Sequence, residues 1–226
     1  MLLLFFSGAI LASFYTHICE HNTLFHSKHS HCDFCHTPLK WRQLIPIFST
    51  IYYRKTPCCQ QPLSYHYLLI ELWSSWLFLG MYPILLAVST THATLLLTLV
   101  SVLLLLAIYD AVYMEVAWVM LLIVFVLSAG IYYVQPQNWV FSLCLWLILE
   151  GIIVIQPQWL GGADSKLLTS LSLTLPLQAV PILLAAASAT GLLWIAIRKT
   201  AGRSTHNAIP FIPCIVTGYV LALLFA

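Results

Sequence analysis

Six apolar runs, each long enough to cross a bilayer as a helix, dominate this chain and leave it few ways to fold. They cover residues 2–18, 67–88, 93–109, 116–133, 139–155 and 209–225. A spanning helix needs about 20 apolar residues, or about 17 at the short end. Inside lipid every backbone polar group must be satisfied by the protein itself, and runs of this length satisfy it as helices. Composition agrees. The chain is 61% hydrophobic and 7% charged, where soluble domains carry about 25% charged residues. Residues 166–197 form a further apolar stretch interrupted by Pro176 and Pro181, which fits one long helix or two short ones. The run from Leu2 has no basic lead-in and no small-residue cleavage signature, so it is expected to be a retained first span rather than a removable leader.

The positions of the few charges decide the topology. The net charge of +2 says little, but the nine basic residues fall in only three places. Lys28, Lys40, Arg42, Arg54 and Lys55 lie in the segment 19–66, Lys166 follows Asp164, and Arg198, Lys199 and Arg203 form the last group. The positive-inside rule places all three on the cytoplasmic side. Returning Arg198 to the face of Lys166 requires 166–197 to cross twice or to dip and come back. A hairpin broken at Pro176 does this, with each arm short for a full span. The expected fold is therefore an all-α polytopic membrane protein. It has about eight transmembrane helices, both termini outside, and a cytoplasmic cysteine-containing loop between the first two. Trp118, Trp139, Trp159 and Trp194 fall near span ends, as interfacial anchors do.

This topology brings two carboxylates to one face. Asp110 closes the third apolar run, and Asp164 sits in Gly161-Gly162-Ala163-Asp164-Ser165-Lys166. An ionisable group bordering a span is costly unless paired or wet, which makes it a functional candidate. Two aspartates brought together do not both ionise easily; one serves as general acid while the other takes a proton from water. The Gly-Gly-Ala turn lets a substrate backbone approach and permits unusual dihedrals. The plainer reading is a helix cap or an interfacial solvated charge, and a single G-G-A-D tetrapeptide leaves both open. Glu150, within the fifth run, reads either as an ion ligand of a transporter or as a polar pair within the bundle. There is no G-x-S-x-G or H-E-x-x-H, no phosphate-cradling glycine loop, and no basic cluster for nucleic acid.

The segment 19–66 holds five of the seven cysteines and most of the histidines. Cys32 and Cys35 are spaced as half of a tetrahedral zinc site, and Cys58 and Cys59 follow as a second pair. Adjacent cysteines fit one ion less readily than a spaced pair, and His31 or His36 is an alternative fourth ligand. The alternative is a polar loop of unligated thiols. Clustering of this kind suits metal ligation in a reducing compartment better than a disulfide framework.

Taken in order, these stretches resemble the type IV prepilin peptidases, leader peptidases of the G-x-G-D membrane aspartic protease family. The short form found in competence-positive Gram-positive bacteria is the most similar. Ala12-Ser13-Phe14 is similar to the family's Gly-Ser-Phe. Cys32-x-x-Cys35, Leu39-x-Trp41 and Ile45-Pro46-x-x-Ser49 follow its cytoplasmic loop, and Leu63-Ser64 with Tyr67 and Glu71 its second-span entry. Asp110 matches the first catalytic aspartate, Gly161–Leu167 the G-x-G-D-x-K-L motif around the second, and Ile209-Pro210-Phe211-x-Pro213 its closing I-P-F-x-P. Ala163 stands for a motif glycine, a change to be tolerated if that position needs no positive φ. Thr56 aligns with the first cysteine of the second pair, displacing Cys58, and Glu115 is the candidate substitute for an acid that family members carry after the first aspartate.

The resemblance implies an N-terminal prepilin peptidase region over residues 1–88 and a catalytic aspartic peptidase region over 89–226. Asp110 and Asp164 would be the catalytic pair. Gly161, Gly162, Ala163, Lys166 and Glu71 would support the motif or the substrate. Cys32, Cys35, Cys58 and Cys59 would be zinc ligands. Substrates would be prepilin or pseudopilin precursors with a short basic leader before an apolar helix, cleaved at the cytoplasmic face of the plasma membrane. Family members commonly also N-methylate the new amino terminus with S-adenosylmethionine. The competing expectation is a non-enzymatic membrane protein, either a transporter or a pilus-assembly adaptor. An intramembrane protease of the presenilin type is a third reading, disfavoured by the loop motifs and the compact length.

Overall fold

The apolar runs do form helices. A computed structural model of the chain describes residues 1–21, 32, 35, 37–40, 42, 44–53, 55–63, 65–137, 139–200 and 209–225. The expectations placed on Lys28, His31, His36, Trp41, Arg54, Ser64 and Arg203 lie outside the described residues. The described helices are α1 (Leu2–His21), α2 (Phe48–Tyr52), α3 (Tyr65–Ala87), α4 (Thr90–Tyr113), α5 (Trp118–Val134), α6 (Trp139–Ile155), α7 (Gly162–Ser172), α8 (Val180–Thr200) and α9 (Ile212–Leu224). Among the described residues the fold is all-helical, joined by turns and one isolated bridge between Lys55 and Pro62.

Among the described residues, four helical segments are long and apolar enough to cross a membrane: Leu2–Glu20, Tyr65–Ala87, Thr90–Tyr113 and Leu177–Thr200. Three shorter apolar helices accompany them: Trp118–Val134, Trp139–Ile155 and Ile212–Leu224. The stretch 166–197 does break at Pro176, but its arms are unequal. α7 has 11 residues, whereas a three-residue 3-10 turn, Leu177–Ala179, leads into the 21-residue α8. The expectation of two short arms holds for the first only. Pro176 stops the chain from continuing as a helix. Pro181 does not, because it is the second residue of α8, where a missing N–H would have had no helical partner anyway.

The chain divides into two compact units, residues 1–79 and 80–226. In the first, α1 and α3 approach closely at Gly8, where a Cβ would stand 2.6 Å from the Ser74 carbonyl oxygen. The Ser74 hydroxyl donates to the Gly8 carbonyl at 2.9 Å. Small residues and serine hydroxyls of this kind hold helices together in lipid, where no hydrophobic force separates helix from solvent. In the second unit α9 packs against α4, α7 and α8, and α7 packs against α5, α6 and α9. Leu99, Leu103, Leu167, Leu171, Ile215 and Tyr219 are wholly buried there. The Tyr219 hydroxyl meets Thr174 Oγ1 at 2.8 Å, fixing the break between α7 and α8 against α9.

Candidate active site

Asp110 lies in the last turn of α4, in an apolar sequence that needs a definite stop. The stop is Met114, which adopts the left-handed conformation at φ 57° and donates its N–H to the Asp110 carbonyl at 2.9 Å. Such a cap is most often glycine, so the end of α4 is held in a conformation that methionine does not favour. The Asp110 side chain is buried. Its Oδ2 accepts the backbone N–H of Ile212, the first residue of α9, at 3.2 Å. The Ile-Pro-Phe-x-Pro segment thus delivers a donor to the carboxylate.

Asp164 comes from the other direction. α7 starts at Gly162 with Gly161 as its N-cap, and Asp164 is the acid in its first turn. Free amide N–H groups and the helix dipole favour a carboxylate there. The Gly161 backbone N–H donates to it. A Cβ on Gly161 would stand 3.0 Å from Asp164 Oδ2, while one on Gly162 would meet nothing within 4 Å. Gly161 is therefore glycine for space. Its φ is −71°, so the expected use of unusual dihedrals is not what the turn requires. Ala163 is already helical and away from the positive-φ positions, which accounts for alanine in place of the motif glycine.

Asp110 and Asp164 lie within electrostatic reach of each other, and Cys214 of α9 lies within reach of both. Around them, Ser165 is fully buried and donates to Glu150 Oε1 at 3.2 Å. That bond ties α6 to the start of α7 and gives Glu150 a partner inside the bundle. Lys166 is exposed, and Glu115 is exposed in the connection after α4. Sequence reasoning did not single out Cys214, Ser165 or the Ile212 N–H. An N–H has no sequence signature, and Cys214 reads as one more apolar residue of its helix.

In the N-terminal unit Glu71 is buried and accepts the Ile47 N–H at 2.6 Å. The thiol sulfurs of Cys32, Cys35, Cys58 and Cys59 lie within 4.8 Å of one another. Cys32 and Cys59 are 3.7 Å apart, and Cys58 and Cys59 3.9 Å. A zinc tetrahedron with bonds of about 2.3 Å puts its sulfurs about 3.8 Å apart, so the donor set fits such an ion. Thr56 Oγ1 touches Cys59 Sγ at 3.0 Å, so the residue standing for a motif cysteine sits against one of the four thiols. Hydrogen bonds from Thr37, its hydroxyl first, pull the Cys35 thiol down to about 6.

A groove of about 590 Å³ lies between α5, α6 and α7, with Trp118, Phe125, Trp146, Thr169 and Lys166 among its walls.

Two family models match the chain. One described as the type IV leader peptidase family covers residues 97–196. One described as the bacterial peptidase A24 N-terminal domain covers residues 6–84. Neither a curated protein nor a solved structure matches it significantly.

Proposed function

Because the chain belongs to the type IV leader peptidase family, we propose that it is an aspartic endopeptidase in which Asp110 and Asp164 share the chemistry. Its substrates are the prepilin-like precursors that the family implies. The observation that carries the reading is the convergence of these two carboxylates from the end of α4 and the start of α7. One aspartate takes a proton from water as its oxygen attacks the scissile carbonyl. The other, protonated, gives its proton to the carbonyl oxygen; the proton taken from water is then delivered to the amide nitrogen, and as the C–N bond breaks a hydroxyl of the intermediate returns its proton to the second aspartate. The Ile212 N–H donates to Asp110 Oδ2 and so holds that carboxylate in place. The pair titrates as a unit, so acid and base are roles within the dyad rather than fixed residues.

In this reading residues 89–226 carry catalysis and residues 1–88 serve the substrate. Cleavage is at the cytoplasmic face of a multi-pass plasma-membrane protein, where the basic residues collect. The apolar helix of the precursor has a seat in the groove beside Lys166, two residues from Asp164. Zinc, held by Cys32, Cys35, Cys58 and Cys59, would supply structural order to the loop and no chemistry to the cleavage. N-methylation with S-adenosylmethionine rests on the resemblance alone, and no residue described above is assigned to it.

The test is processing of a precursor with a short basic leader by membranes carrying the wild type, Asp110→Asn or Asp164→Asn. Each variant is expected to be present at wild-type level with helical circular dichroism intact and to leave the precursor uncut. Normal processing by either one would sink the reading and return the transporter or adaptor to the front.

A further inference from the structure

Residues 44–53 read Leu-Ile-Pro-Ile-Phe-Ser-Thr-Ile-Tyr-Tyr, ten residues without a charge. They fall inside the segment expected to be a polar cytoplasmic loop. Basic residues bound them in the sequence, Lys40 and Arg42 before, Arg54 and Lys55 after. Within them Leu44, Ile45, Phe48, Ile51 and Tyr52 are exposed. An exposed apolar cluster of this kind marks an interaction surface, and the contacts of the segment say where that surface lies.

Those contacts are with the membrane helices, well below their loop ends. The Ile47 N–H donates to Glu71, six residues into α3 and so about 9 Å along its axis. The Ser13 hydroxyl of α1 donates to the same carboxylate, so Glu71 binds the segment to both helices at once. Ile47 itself is buried at φ 65°, a conformation costly for a β-branched residue and kept only where the surroundings impose it. The Phe48 ring stacks on Phe6, 6.3 Å between centroids and 20° from parallel. Phe6 lies deeper still, in the half of α1 far from the loop.

Irregular backbone survives at membrane depth only when its polar groups are satisfied by protein. Here they are. Ser49 N–H donates to the Ile45 carbonyl, Ile51 N–H to Ile47, and Tyr53 N–H to Ser49. The one N–H at the strained corner is taken by Glu71. Tyr52 and Tyr53, edge to face at 4.8 Å, are the residue type that settles at the headgroup boundary.

We propose that residues 44–53 re-enter the bilayer beside α1 and α3, with Phe48 and Ile51 facing lipid acyl chains and the basic flanks at anionic headgroups. The apolar surface is then lipid-covered, and the buried Glu71 is the positioning residue that holds the segment at depth. The proposal rests on α1 and α3 lying in the membrane and not on the aspartates, so it can fail while the peptidase reading stands.

The full chain carrying Phe48→benzoylphenylalanine or Ile51→benzoylphenylalanine, reconstituted in vesicles of phosphatidylethanolamine and phosphatidylglycerol, is irradiated and analysed by mass spectrometry. Leu69→benzoylphenylalanine, on an exposed position of α3, and Gln61→benzoylphenylalanine, in the exposed loop, bracket the result. Positions 48 and 51 are expected to form lipid adducts at a yield within about twofold of position 69, with position 61 at background. Yields at background would overturn the proposal. So would loss of lipid adducts in favour of precursor adducts when a precursor is added, which would make the surface a substrate dock.

Discussion

At the scale of single residues, the two glycines before Asp164 have opposite jobs. A Cβ on Gly161 meets the end of the Asp164 side chain at 3.0 Å, and one on Gly162 meets open space. The obstacle at Gly161 is a carboxylate oxygen, which swings aside at little cost to the fold. Gly161→Ala is therefore expected to preserve stability and displace the Asp164 carboxylate. Misplacement of a catalytic group on this scale costs roughly ten- to a hundredfold in rate. Gly162→Ala should process a precursor within about twofold of wild type. Initial cleavage rates of the two variants, each checked for expression and thermal midpoint, decide the matter; equal rates would remove the argument that Gly161 makes room for Asp164. The sequence displayed both glycines and both aspartates, but not which glycine mattered, because that depends on where one side-chain oxygen lies.

Helix pairs pose the same question with backbone as the obstacle. A Cβ on Gly218 of α9 would stand 2.7 Å from the Leu183 carbonyl oxygen and 2.9 Å from the Ala187 amide nitrogen, both on α8. Neither atom yields unless the helix moves, and overpacking typically costs about 1–3 kcal/mol. Gly218→Val should lower the thermal midpoint in detergent, and because α9 delivers the Ile212 N–H to Asp110, activity should fall with it. Gly151 on α6 has nothing within 4 Å, so Gly151→Ala is expected to hold or slightly raise the midpoint. A Gly218→Val protein as stable as wild type would mean that α8 and α9 are not locked through this contact. The helices themselves were legible from apolar runs, α6 to the residue and most others within a few. The unequal arms about Pro176 were not, since the proline marks the break but not where the chain leaves one helix and resumes the next, and the break itself is held by the Thr174–Tyr219 bond.

Over the whole molecule, order has two sources. Helical units draw on packing along their whole length, while the described residues of the cysteine knuckle at 32–62 are held by a bridge between Lys55 and Pro62, turn hydrogen bonds and four clustered thiols. Structural zinc in small peptides contributes an apparent ~10–16 kcal/mol at neutral pH, far more than such a turn supplies alone. The ligand pattern was readable from Cys32-x-x-Cys35 in the sequence, yet adjacent Cys58 and Cys59 argued against one ion. Folding answers the objection by turning the chain tightly between Thr56 and Gln61, whose backbone atoms bond at 2.8 Å, so that all four sulfurs converge. Purified protein is then expected to carry about one zinc per chain, lost in Cys32→Ser and Cys59→Ser. Strong chelators should strip the metal and expose the thiols to alkylation while leaving the far-ultraviolet circular dichroism nearly unchanged, because the helices do not depend on the ion. Metal analysis, thiol titration and dichroism on one sample separate the outcomes. Zinc-free protein with wild-type precursor cleavage would reduce the cluster to unligated cysteines, and collapse of the helical signal on chelation would show that the metal orders more of the chain than its loop.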